Sequence, residues 1–238
     1  MANIKIAVIN ASTVITDDKE VKKVVDALQI QVQRDFAPAW GVDADLRVVP
    51  KGKKPAAGEW WLVILDNSDQ AGALGYHDVT KDGLPLGKIF AKTDQTYGQQ
   101  WSGTASHELL EMLADPNINL TVFEEQTAGG RLYAYEVCDA CEAEKFGYQI
   151  NGVLMSDFVY PSWFESFRTS GTQFDFMKKI KSPFQLLAGG YIGFYDVQAG
   201  SGWQQQTAEK VNFRSRPPVG SRRERRSVPL GQRIASTV

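Results

Sequence analysis

Along the chain the spacing of apolar positions changes several times, and each change marks an element. Ile4-Lys5-Ile6-Ala7-Val8-Ile9 alternates and then runs apolar, as a largely buried strand does. Asp17-Asp18-Lys19-Glu20 opens a helix whose Val21, Val24, Val25, Leu28, Ile30 and Val32 reach about Phe36, where Pro38 and Gly41 are expected to end it. Residues 46–49 and Trp60–Leu65 read as the second and third strands, with Lys51-Gly52-Lys53-Lys54-Pro55 as the loop between them. A glycine-bearing loop over residues 72–78 and a turn at Asp82-Gly83 lead to a strand at 87–92. A second helix is predicted over 102–115, halted by Pro116. Residues 184–195 read as a hairpin with glycines at its turn. Strands and helices in this order predict an α+β domain over residues 1–213.

The second helix carries the chemistry. In Ser106-His107-Glu108-Leu109-Leu110-Glu111-Met112-Leu113-Ala114-Asp115, helical spacing puts His107, Glu111 and Asp115 on one stripe, with Glu108 one residue round. An imidazole, a second ligand type and a free carboxylate then point into one small volume, the layout of a hydrolytic zinc site. The familiar form is H-E-x-x-H, whose Glu is general base; here Glu111 stands where the second His would be. Carboxylate oxygen is also a zinc ligand. The competing reading is an amphipathic helix with Leu109, Leu110 and Leu113 buried and the acids solvated. The chain has only two histidines, His77 and His107, and one of them falls where the motif needs it.

On this motif and the element order, residues 1–165 resemble the N-terminal half of a zincin-like metalloprotease with HExxE (HELLE) in place of HExxH. The resemblance implies a mixed β-sheet behind an active-site helix, with the strand at 87–92 on the rim of the cleft, pairing with extended peptide substrate. It implies a hydrolase in which Glu108 activates a water held by His107, Glu111 and a third ligand. In zincins whose third ligand is Glu, that residue follows the motif helix and a nearby Asp orients a ligand imidazole; Glu136 and Asp139 look like that pair. Asp115 and His77 are further second-shell or alternative ligands, although His77 is expected mainly to order its loop. Zinc is the expected ion, and each added carboxylate favours harder ions such as manganese or calcium. The alternative is an inactive member of that fold, binding a partner in its cleft.

Tyr133, Tyr135 and Tyr160 are either hydrogen-bond donors to a developing oxyanion or ordinary core and rim aromatics. Cys138-Asp139-Ala140-Cys141 reads as two buried small residues, half of a metal site, or a dithiol pair. Two cysteines exclude a disulfide framework and fit a reducing compartment.

Composition changes the picture mainly at the C-terminus. Residues 214–238 hold seven arginines against one glutamate, a balance of +6 that leaves −8 for the rest of a chain with net charge −2. Lacking periodic apolar residues, this stretch reads as a flexible basic tail, able to make weak contact with nucleic acid or an acidic partner. The longest apolar runs are of strand length, so no membrane partner is expected. The first ten residues lack the pattern of a secretory signal, and a cytoplasmic location is the expectation.

Overall fold

The structure, a computed structural model, describes residues 4–70, 73–125, 129–166, 169–200 and 202–208. The Arg-rich segment 214–238 lies outside them. The protein is α+β. Strands β1 (Ile4–Asn10), β2 (Ala44–Val49), β3 (Trp60–Leu65), β4 (Gly75–Val79) and β5 (Pro85–Phe90) form one sheet in the order β2-β1-β3-β5-β4. All neighbours are parallel except β4, which runs antiparallel to β5 at the edge. Central strands covered on both faces need apolar side chains in succession, hence Ile6, Ala7 and Val8 of β1 are all buried.

Helix α1 (Asp18–Ile30) begins at Asp17, whose carboxylate accepts the Lys19 N–H at 2.8 Å. It runs through a π-helical stretch, Gln31–Phe36, into the single turn α2 (Ala37–Trp40). Pro38 therefore does not stop the chain: it sits within the first turn of α2, where a missing N–H is tolerated, and Gly41 at φ 69° makes the C-cap. Further on, α3 (Ala91–Thr96) and α4 (Trp101–Ala114) follow β5. Here α1 packs on β2, α4 on β5 and β4, and strand β9 (Val153–Met155), paired with β8 (Tyr148–Ile150), touches both helices.

The π-helical stretch has a use in this packing. Its first residue, Gln31, is buried, accepts a hydrogen bond from Ser106 Oγ of α4 at 2.7 Å and donates to the Ser156 carbonyl at 3.0 Å. Ser106 Oγ in turn accepts the Ser156 N–H at 2.9 Å. Three buried polar groups thus satisfy one another and lock the back of α4 to α1 and to the chain beyond β9.

A second, antiparallel sheet, in the order β11-β10-β7-β6, comprises β6 (Thr121–Glu124), β7 (Arg131–Ala134), β10 (Tyr191–Asp196) and β11 (Trp203–Thr207). Three expectations change. The hairpin of 184–195 contains one strand, β10, and its hairpin partner is β11, a polar Trp-Gln-Gln-Gln-Thr segment without apolar alternation. The strand expected at 87–92 ends at Phe90, because Ala91 opens α3. Nor is that strand on the rim: β5 lies between β3 and β4, and the edge belongs to β4, within the segment read as a glycine loop. Among the described residues no helix is long and apolar enough to cross a membrane.

Candidate metal centre

Strand alternation turns Gly75 and His77 of β4 toward α4, while Tyr76 faces away and meets Asp69 and Lys88 through its hydroxyl. Gly75 is required by proximity. A Cβ there would lie 2.7 Å from Thr104 Cγ2, 2.8 Å from Glu108 Cγ and 2.9 Å from Glu108 Oε1. His77, wholly buried, reaches the motif carboxylates: its Nδ1 lies 3.5 Å from both Glu108 Oε2 and Glu111 Oε2, and its Nε2 lies 3.6 Å from Glu136 Oε2. The residue expected to order a loop thus supplies a second imidazole to the site. The sequence signal was its being the only other histidine.

On the other side of Glu111, His107 Nε2 is 3.2 Å from Glu111 Oε1 and 3.2 Å from Asp139 Oδ1. Asp139 comes from the short 3-10 turn Asp139–Cys141, which follows β7. The backbone N–H of Cys138 donates to Glu111 Oε1 at 3.2 Å. Compact donor groups form among His107, Glu111 and Cys138, among His77, Glu111 and Glu136, and among His107, Asp139 and Glu142, the donor atoms of each lying within 4.8 Å of one another. Of the three expected ligands, Glu136 therefore joins Glu111 on the His77 side, whereas His107 joins it on the Cys138 side.

Five carboxylates and two imidazoles gather here; Glu142 is exposed, whereas Glu108, Glu111, Asp139 and His77 are all nearly or wholly buried. Such a donor set, oxygen-rich with two imidazoles and one thiol, fits a divalent cation such as zinc or manganese. Burial disfavours charge on His107, yet Glu111 and Asp139 outweigh it and raise the imidazole's pKa well above its ordinary value. Burial likewise opposes ionisation of Glu111, and the neighbouring His107 cation holds that carboxyl well below the usual range.

Asp94, a residue the sequence did not single out, lies behind Glu108. It is buried on α3, accepts a hydrogen bond from Thr104 Oγ1 at 2.8 Å, and is pushed up to about 7 by burial and by the charges of Glu144 and Glu108. Asp115 is buried at the end of α4, where its two oxygens accept the N–H groups of Asn119 and Leu120, both at 3.0 Å. It serves the turn after the helix. Tyr133 packs on Phe184 and Phe194, Tyr135 on Phe164 and Trp40, and Tyr160 on Phe158. Cys138 and Cys141 are free thiols, both buried, and burial pushes each well above its ordinary pKa.

Comparison with known proteins adds no relative: no family model, no curated protein and no solved structure matches the chain.

Proposed function

We propose that the protein is a metal-dependent hydrolase of the zincin-like kind that cleaves peptide bonds, with Glu108 as general base. The observation that carries this reading is the convergence of His107, Glu108 and Glu111 from α4 with His77 from β4 and with Glu136 and Asp139 from the segment after β7. A parallel sheet ending in an antiparallel outer strand beside the motif helix supports the zincin-like assignment.

His107 and Glu111 would hold the cation, with Glu136, Asp139, Cys138 and His77 completing its surroundings. A bound zinc ion supplies Lewis acidity, lowering the pKa of water toward neutrality and polarising a carbonyl. Glu108 accepts the proton of the attacking water and returns it to the leaving nitrogen as the C–N bond breaks. Gly75 keeps β4 tight against Glu108, so the carboxylate that moves the proton is shielded from bulk water. The outer edge of β4 presents backbone N–H and C=O groups to an extended peptide, which suits a peptide substrate and moves the substrate-pairing role from β5 to β4.

A second reading, a binding module that keeps its metal only for structure, is favoured by one observation: Glu108 is 3% exposed and packed beneath Gly75. Glu108→Gln separates the two. With zinc content unchanged, the variant should lose about 10²–10⁴-fold of the wild-type rate on a peptide library. Cleavage at the wild-type rate, or none by zinc-loaded wild type, contradicts the hydrolase.

A further inference from the structure

Resting on the metal-centre reading above, we infer that the pocket holds two divalent cations, bridged by the carboxylate of Glu111. Glu111 is wholly buried at the middle of the cluster, and its two oxygens face different partners. Oε1 faces His107 Nε2 and accepts the Cys138 N–H. Oε2 faces His77 Nδ1 at 3.5 Å.

The donors divide in the same way. His77 and Glu136 group with Glu111 on one side, and His107 and Cys138 group with Glu111 on the other, where His107 also groups with Asp139. Glu111 is common to the His77 group and to the His107–Cys138 group, although not to the group of His107 with Asp139 and Glu142, and among the described residues no compact group contains both imidazoles. A single ion would take one group and leave the other histidine-carboxylate set without a cation.

Charge leads to the same number. Glu108, Glu111, Glu136 and Asp139 carry four negative charges when ionised, and imidazoles that ligate a metal are neutral. One divalent ion, even with the histidine it does not use protonated, leaves at least one of those charges without a counter-charge among largely buried groups, whereas two ions balance all four. Buried charge without a counter-charge is costly enough that the second ion is strongly favoured.

Chelator-stripped full-length protein is dialysed to equilibrium against Mn²⁺, and bound manganese is measured by elemental analysis and electron paramagnetic resonance. The expected result is two equivalents per chain with the spectrum of an exchange-coupled pair. His77→Gln and His107→Gln, checked for folding by circular dichroism, should each fall to one equivalent with an uncoupled signal. One equivalent in the wild type, or two that are uncoupled, overturns the bridged pair while leaving a one-ion hydrolase standing; no bound manganese in a folded wild type overturns both readings.

Discussion

Asp157 and Asp175 are buried side by side outside the candidate metal centre, and each is held by backbone donors. Asp157 accepts the N–H groups of Phe158 and Met177, and Asp175 those of Lys179 and Ile180, which ties residues 175–180 to the chain after β9. Burial, with the adjoining Asp175 carboxyl, pushes Asp157 up to about 8 against the pull of those backbone donors. In the unfolded chain an aspartate titrates near ~4, so folding takes up a proton between the two values. The stability this group contributes is therefore fully present below about pH 4 and is lost as pH rises through about 8, at a slope of at most about 1.4 kcal/mol per pH unit. Asp157→Asn should flatten the pH dependence, so that urea midpoints at pH 5, 6.5 and 8 diverge less than in the wild type. Equal slopes in both proteins would refute a raised Asp157 carboxyl as the source of the pH dependence. At this scale the sequence was legible where local spacing decides position. One helical turn separates His107 from Glu111, and their contact at 3.2 Å follows from that alone. His77 meets Glu111 only because β4 folds back antiparallel on β5, a long-range event that residue spacing does not encode.

Among the elements, β4 comes close against α4, and that approach depends on Gly75. The atoms a Cβ would strike include Cγ of the buried Glu108 side chain. Gly75→Ala should cost about 1–3 kcal/mol, the usual range for overpacking, and displace Glu108. Gly103, on α4 itself, is a matched contrast: a Cβ there meets Leu154 Cδ2 at 3.5 Å, an ordinary contact. Gly103→Ala should raise stability by up to about 1 kcal/mol through helix propensity. Thermal unfolding of the two variants decides the matter; equal effects would mean that β4 is not held against α4 as described. Elements with strong periodicity, α1, α4 and strands β1 to β3, were legible because one apolar face settles each of them. The weak ones were not. Gly-Tyr-His-Asp-Val has one aliphatic residue and became β4 only by pairing with β5, and Trp-Gln-Gln-Gln-Thr became β11 only by pairing with β10. The π-helical stretch was equally hidden, since it answers to the buried partners Ser106 and Ser156 and to no local pattern.

At the scale of the molecule, one sheet backs α4, the outer strand of that sheet closes one side of the motif, and the chain leaving the second sheet through β7 closes the other. Ligand candidates separated by up to 65 positions, from His77 to Glu142, meet because these three pieces pack on a common core. The α+β class followed from element order. Which strand forms the rim did not, because strand order within a sheet is decided by crossovers that composition leaves unspecified. The most direct measurement is anomalous X-ray scattering at the zinc edge from crystals of the zinc-loaded protein. Anomalous peaks beside Glu111, one toward His107 and one toward His77, are the predicted result. Zinc bound elsewhere, or no peak within coordination distance of Glu111, would contradict the metal centre and the hydrolase built on it.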